Sequence, residues 1–430
     1  MTPRAAARAI FDAALTAGDV RPLVHRALAG IDPRSRGRLI VVGAGKASGS
    51  MAEAVEEKLG DRVNGGVVAV KDGHLAPTRN VRLLEAGHPV PDGRGAAAAR
   101  AILELVRDGR PDDLVLVLIS GGASALTPAP ASPVTLADKQ AVTRLLLGAG
   151  ATINQLNAVR KHLSLLKGGQ LARAAAPARV HALLLSDVIG DPIDVIGSGP
   201  TAPDASTFGE ALAILDHFQI RQRVPRSVLE RLTQGARGQI AETPKADDPV
   251  FGHVANVVIG NNGLVVDAAA AQARQLGFAP HILTRSLEGE ARLAARDVVQ
   301  IARRIKAGLG PVAPPACVIA SGETTVTVQG DGTGGRCQEF ALSAALEMED
   351  LDDVVVLAAG TDGTDGPTSA AGAIADHLSA RRARERHCDP RARLHANDSH
   401  AVFAGLDDLI TTGPTNTNLL DLYLAVVSRA

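Results

Sequence analysis

The sequence predicts an α/β protein of two domains, and three observations point there. Short β-branched runs alternate with alanine-rich stretches of helical period from end to end. Most of those runs are apolar without polar alternation, as in strands buried on both faces of a parallel sheet. A chain of 430 residues at roughly 150 per domain gives about two or three domains, with two the expectation.

At the start, Thr2-Pro3 ahead of Ile10, Phe11 and Leu15 reads as a capped amphipathic helix that Gly18 ends. Pro22 opens a second helical stretch with Leu23, Val24 and Leu28. Arg4, Arg8 and the alanines there also fit a transit peptide, but Asp12 and Asp19 count against it, and no h-region marks a signal peptide. Strands are expected over 39–42, 67–70, 114–119, 182–185, 254–259, 281–283, 317–320, 324–328 and 354–357. Helices over 47–59, 95–107, 263–276, 290–307 and 338–347 serve as crossovers. The charged, strand-poor segment 221–249 divides the chain into domains at 1–240 and 250–430. No short-period repeat is present. The six arginines within 379–393 read as a solvated helix face and loop rather than a phosphate patch.

Composition excludes several classes. With 45 Lys+Arg against 46 Asp+Glu the net charge is −1, too little basic excess for a polyanion or membrane-surface binder. Aromatics are 2% of residues, with Tyr423 the one tyrosine and no tryptophan, so base-stacking platforms are absent. Cys317, Cys337 and Cys388 show no CxxC spacing, which fits neither a zinc site nor a disulfide framework and suits a reducing cytoplasm. No apolar run reaches the about 18 residues of a membrane span. A cytoplasmic protein with no nucleic-acid or membrane partner is expected.

Chemistry is expected where strands end in glycine loops, since ligand crevices in open α/β sheets lie beyond the strand carboxyl ends. Gly43 and Gly45 in VGAGKASG (42–49) allow close backbone approach to an anion, and Lys46 sits at the first turn of a helix. The GxGxxxG spacing matches neither a dinucleotide fingerprint nor a P-loop. In ISGGASAL (119–126), consecutive N–H groups from Gly121 through Gly122 to Ser124 form a candidate anion nest, with the Ser120 and Ser124 hydroxyls as further donors. The alternative there is a tight strand–helix turn. Asp187 and Asp191 follow another strand, placed to bind metal or deprotonate a hydroxyl, although Asp191 before Pro192 also fits a turn. Asn261 opens a further strand–turn–helix unit, and Glu323 follows the strand 317–320. Gly334, Gly335 and Arg336 lead into a helix in a pattern suited to oxyanion recognition by the guanidinium fork. Asp362 and Asp365 share a tight loop, as substrate or Mg²⁺ contacts or as turn residues. GxSxG and HExxH are absent, and His88 and His162 read as structural.

Taken in order, VGAGKASGSM (42–51), GHPVPDGRG (87–95), ISGGASAL (119–126), LSLLKGGQLA (163–172), SDVIGDPIDVIGSGPT (186–201), SGETTVTV (321–328), GTGGRCQEF (332–340), AAGTDGTDGPT (358–368) and TGPTNTN (412–418) span nearly the whole chain. In these stretches the sequence resembles the class II glycerate kinases, whose second domain is of MOFRL type and whose members have often been labelled hydroxypyruvate reductases. The resemblance implies a Rossmann-like α/β/α first domain with a mostly parallel sheet, a smaller α/β second domain, and an active site in the cleft between them. It also implies phosphoryl transfer from ATP to D-glycerate, giving 2-phosphoglycerate with a divalent metal, Mg²⁺, assisting. The family's lysine falls on Lys46, its arginine on Arg336 and its acidic loop residue on Asp362. Two positions depart from the expected pattern: Cys337 stands in place of Asn and Ser369 in place of Asp.

On this basis Lys46 and Arg336 are expected to bind the glycerate carboxylate or the ATP phosphates. Gly43, Gly45, Ser120, Gly121, Gly122, Ser124, Asn261, Gly334 and Gly335 are expected to line the nucleotide site. Asp187 accepts the 2-hydroxyl proton or, with Asp191, holds Mg²⁺; Glu323, Asp362 and Asp365 contact substrate. A homodimer is compatible with this picture. The rivals are an NAD(P)H-dependent hydroxypyruvate reductase, which needs a dinucleotide fingerprint, and a non-catalytic small-acid sensor.

Overall fold

Two compact units are seen in the computed structural model, which describes residues 1–29 and 37–429; they are Val20–Ile259, and Met1–Asp19 with Gly260–Ala430. In the first, six apolar runs become β1 (Leu39–Ala44), β2 (Val63–Lys71), β3 (Val81–Ala86), β4 (Leu114–Ile119), β5 (Arg179–Leu185) and β6 (Val254–Gly260). They form one sheet in the order β3-β2-β1-β4-β5-β6, and the pairs among β1 to β5 are parallel. β1 and β4 are buried at every residue, which is why they carry no polar alternation. Helix Gly93–Arg107 is capped by Asp92, whose carboxylate accepts the Gly95 N–H at 2.9 Å, and it lays Ala98, Ala99, Ile102 and Val106 on the sheet. A helical cluster of Leu156, Val159, Phe208, Leu215, Val228 and Leu232 forms a second core in this unit.

The other unit holds β7 (Ala279–Leu287), β8 (Ala316–Gly322), β9 (Val354–Gly360), β10 (Gly372–Asp376), β11 (Leu409–Ile410) and β12 (Asp421–Val427), in the order β11-β10-β9-β12-β8-β7. The sheet is mixed: β7 pairs parallel with β8, while β12 runs antiparallel to both β8 and β9. Tyr423 on β12 packs against Phe340 with ring centroids 4.6 Å apart, at the centre of a core with Val318, Val356 and Ala425. The N-terminal helix Pro3–Ala17 is capped by Thr2, as its sequence predicts, and packs on helix Asn262–Gln275. Arg4 anchors it to Asp376 at 2.6 Å and Asp408 at 2.7 Å.

The structure differs from the sequence expectations in four places. The units do not divide at 240–250, because β6 adds to the first sheet beside β5 and the N-terminal helix belongs with the second unit. Strand–turn–helix rhythm is local, whereas sheet membership is fixed by distant partners. The polar segment 221–249 contains helix Arg226–Ala236, whose Val228 and Leu232 enter the helical core. Residues 324–328 form no strand; a bridge from Thr325 to Glu290, bonds from Thr327 to the Glu290 carboxylate and the Thr324–Tyr423 hydroxyl contact hold them, and Val328 is exposed. β12, absent from the expected strands, is central to the second sheet. No helix among the described residues is long and apolar enough to cross a membrane.

Candidate active site

In the Val20–Ile259 unit the turn after β1 is latched rather than open. Gly45 N–H bonds Ala69 O at 3.0 Å, Lys46 N–H bonds Gly121 O at 2.9 Å, and Ala47 N–H bonds the Ser120 hydroxyl at 3.0 Å. Ser120 also meets Ser48 Oγ at 3.0 Å and is fully buried. The expected ligand donors Gly43, Gly45 and Ser120 are therefore structural. A Cβ on Gly43 would stand 2.1 Å from Leu118 O, and one on Gly45, at φ +146°, 2.0 Å from Ser120 Oγ. With its N–H groups satisfied, this turn is no phosphate cradle.

The turn after β4 is the opposite. The N–H groups of Gly121, Gly122 and Ser124 make no hydrogen bond among the described residues, although Gly121 is buried. Three such donors in one turn suit an anion. Gly122 adopts φ +88°, and a Cβ there would stand 3.0 Å from the His88 ring and 3.7 Å from Lys46 Cγ, so both side chains border the turn. Ser124 is fixed by Lys167, whose ammonium donates to its carbonyl at 2.6 Å and to its hydroxyl. Ser198 Oγ lies 3.0 Å from Ser124 Oγ and 3.2 Å from Asn157 Oδ1.

Asp187 and Asp191 lie on the loop after β5, both half-buried. Asp191 takes the left-handed conformation at φ +54° and its N–H bonds Val188 O at 3.1 Å, the geometry of a turn. Among the described residues no group of three or more His, Cys, Asp or Glu side chains is arranged to hold a metal ion. A cation here would take at most these two carboxylates, with the remaining positions filled by phosphate and water, as is usual for Mg²⁺.

In the other unit Arg336 is the first residue of helix Arg336–Glu347 and makes a double contact with Asp421, Nε to Oδ2 at 2.5 Å and Nη2 to Oδ1 at 3.1 Å. Its Nη1 donates to Glu323, which is half-exposed. Burial disfavours the guanidinium charge, but Asp421 and Glu323 outweigh it and raise its pKa further above its usual range. Among the described residues two of its five N–H groups have no partner. Asp421 opens β12 opposite Gly322 and Gly360. A Cβ on Gly360 would lie 3.3 Å from an Asp421 oxygen and 3.4 Å from an Asp362 oxygen, so Asp362 stands in the same cluster.

Asp365 and Asn261 have other work. Asp365 is 3% exposed and caps the Arg336 helix, accepting N–H bonds from Cys337 at 3.0 Å and Gln338 at 2.8 Å. Burial raises its pKa to about 6 despite those bonds. A Cβ on Gly335 would stand 2.3 Å from that carboxylate, and one on Gly334 2.3 Å from Ser399 Oγ, so close packing accounts for both glycines. Asn261 is the N-cap of helix Asn262–Gln275, its side chain accepting the Leu264 N–H at 3.4 Å. The sequence reading missed Asp421, Asn157 and Ser198 as partners of these sites. Lys167 and Ser198 lie inside the motifs 163–172 and 186–201, and that was the available signal.

Two family models match the chain: Domain of unknown function (DUF4147) over residues 6–233 and the MOFRL family over residues 316–421. The D-glycerate 2-kinase of Thermotoga maritima is 43% identical over 396 residues, 91% of this chain and 91% of that protein. A protein of Agrobacterium vitis with the provisional name hydroxypyruvate reductase is 43% identical over 99% of this chain and 95% of its own. The crystal structure of a glycerate kinase from Thermotoga maritima superposes with a TM-score of 0.87 at 41% identity, covering 98% of each chain.

Proposed function

The chain belongs to the glycerate kinase family with a MOFRL domain, and we propose that it transfers the γ-phosphoryl group of ATP to the 2-hydroxyl of D-glycerate, giving ADP and 2-phospho-D-glycerate. The observation that carries this reading is the turn after β4, where unpaired N–H groups of Gly121, Gly122 and Ser124 are bordered by Lys46. Phosphoryl transfer asks for positioning and positive charge more than for covalent chemistry. That turn and Lys46 provide both in one unit; Arg336, pre-set by Asp421, provides a second cation in the other.

In this reading Gly121, Gly122 and Ser124 hold an oxyanion of the reacting groups, and Lys46 offsets the charge that spreads over the transferring phosphoryl oxygens, while Arg336 is the oxyanion-binding cation of the other unit. Asp187 accepts the proton of the attacking hydroxyl, a role that general-base chemistry values at about 10²–10⁴ in rate. In the alternative role Asp187 would, with Asp191, hold the Mg²⁺ that screens the phosphate charges. Glu323 and Asp362 flank the Arg336 cluster as further substrate contacts.

The reductase name carried by one relative finds no support in the turn after β1. Its N–H groups are bonded internally and its spacing lacks the dinucleotide fingerprint. The test is a product assay by ³¹P NMR with D-glycerate, ATP and Mg²⁺, beside an NADH–hydroxypyruvate assay. A 2-phosphoglycerate resonance without NADH oxidation is expected; NADH oxidation without phosphoglycerate overturns the proposal.

A further inference from the structure

Among the described residues three cations of the Val20–Ile259 unit stand without a carboxylate partner: Lys139 and Lys167 are buried, and Arg160 lies one turn along the helix Ile153–His162 from Asn157. Lys167 is 1% exposed and its ammonium donates, among the described residues, to Ser124 alone. Lys139 is 6% exposed and donates to the Pro128 carbonyl at 2.5 Å. Arg160 is half-buried and makes no side-chain hydrogen bond or ion pair among the described residues. Neighbouring cations are treated differently. Lys161, next along the helix Ile153–His162, is matched by Asp204 at 3.2 Å and Asp194 at 3.4 Å, whereas Arg231, buried like Lys139, donates to the carbonyls of His162 and Ser132.

Concentrated charge of one sign in a buried place is unfavourable unless an opposite charge joins it. Burial lowers the pKa of Lys139 to about 7, with Arg160 and Arg231 adding repulsion, and lowers that of Lys167 strongly, with Arg160 and Lys139 adding. Polar neutral groups stand beside the cluster: Lys167 holds Ser124, which continues to Ser198 and Asn157. Ser198 is kept at φ +65°, a left-handed conformation that costs a non-glycine residue and that its surroundings enforce.

We propose that Arg160, backed by Lys139 and Lys167, binds the carboxylate of the small hydroxy acid that accepts the phosphoryl group, with Ser124, Ser198 and Asn157 facing its hydroxyls. The assignment rests on the kinase reading and gives the acceptor a place in the first unit beside the turn after β4. A carboxylate fits better than a polyphosphate because both ammonium groups are fully enclosed, leaving the Arg160 guanidinium as the accessible cation, and its fork matches two carboxylate oxygens. Ser124 also ends the turn that presents the Gly121 and Gly122 N–H groups, so an acid held here has its hydroxyl end beside the proposed oxyanion site.

Steady-state kinetics of the wild type, Arg160→Gln and Arg160→Lys test this. The expected result is a rise of 30-fold or more in KM for D-glycerate in Arg160→Gln, and a smaller rise in Arg160→Lys, which keeps the charge but not the fork. KM for ATP should stay within about twofold, and the melting temperature should not change. An unchanged KM for glycerate, or a rise confined to KM for ATP, overturns the proposal. Should the wild type phosphorylate no glycerate, the kinase reading fails separately, and calorimetric titration of D-glycerate without nucleotide then decides. Binding that is lost in Arg160→Gln supports the site, while equal binding in both, or none to the wild type, overturns it. Titration at pH 8 in two buffers adds a readout independent of turnover: an anion beside Lys139 restores its proton, so glycerate binding takes up more protons in the wild type than in Lys139→Met. Equal uptake in the two proteins counts against the assignment.

Discussion

Replacing Asp421 by Ala removes the anchor of Arg336 and leaves its guanidinium with the half-exposed Glu323 alone. Asp421 is 2% exposed and accepts two bonds from Arg336 and one from Tyr423 Oη at 3.0 Å. Breaking a buried ion pair from one side costs about 3–5 kcal/mol. Two features reduce that here: Arg336 is one-third exposed, and Tyr423 keeps Thr324 as a partner at 2.9 Å. We expect a loss of about 2–3 kcal/mol, or roughly 5–10 °C in melting temperature. Glu323→Ala, with its side chain 52% exposed, should cost no more than about 1 kcal/mol. Turnover should fall about 10²-fold in Asp421→Ala, since a guanidinium displaced by ~1 Å no longer meets the charge it is placed for. Urea unfolding and steady-state kinetics on Asp421→Ala, Arg336→Ala and the double variant read both effects. Because the second change removes a charge already orphaned, the double variant should be less destabilised than the sum by at least about 1 kcal/mol. Additive losses, or equal costs for Asp421→Ala and Glu323→Ala, would refute the anchoring role.

Lys46→Ala should lower kcat by about 10²-fold or more while the melting temperature moves by no more than ~2 °C, because the backbone N–H of Lys46 ties the turn. Gly45→Ala places a Cβ 2.0 Å from Ser120 Oγ at φ +146°, and a melting scan should show a loss above about 3 kcal/mol. Gly190→Ala, with φ +81° and nothing within 4 Å, should cost only about 1–2 kcal/mol in the same scan. The Glu242 carboxylate is held at about 2: burial raises its pKa, but hydrogen bonds from His162, Phe208 N–H and Thr243 N–H lower it more. A depressed folded-state pKa stabilises above the ordinary value near 4.5 and loses that contribution as pH falls toward 2. Glu242→Gln should therefore be about 1–2 kcal/mol less stable at pH 7, after discounting for solvent screening, with the gap closing below pH 4.5 in acid-unfolding curves.

The glycine loops were legible because a strand followed by glycines and a helix is a local pattern, and both turns formed where the spacing put them. What each glycine is for was not legible. Gly45 and Ser120 are 75 residues apart and meet only because β1 and β4 are neighbours in the sheet. That adjacency turned an expected phosphate loop into a latch and left the unpaired donors to Gly121 and Gly122. Asp365 and Asp362 sit in one loop of alternating Asp, Gly and Thr, yet burial sends Asp365 under the Arg336 helix and leaves Asp362 near Asp421. Asp421 itself is 85 residues from Arg336 and reads, in sequence, as the polar start of an apolar run. Arg160 and Lys161 are adjacent and chemically alike, and only the positions of Asp194 and Asp204 separate the paired cation from the unpaired one.

The helix Pro3–Ala17 leaves the ribosome before every other element described above, yet its packing partners lie beyond residue 260. The 240 residues from Val20 to Ile259 are in effect an insertion between the two parts of one folding unit. At about 5–20 residues per second the helix waits roughly 12–48 s for that insertion to be made before its own partners begin to emerge. Meanwhile its apolar face, with Ile10 and Phe11 fully covered in the finished fold, has no partner from its own unit. A gene cut at residue 260 would express the MOFRL portion without its first helix, so the portable fragment is a circular permutant that carries Met1–Asp19 joined after the C-terminus.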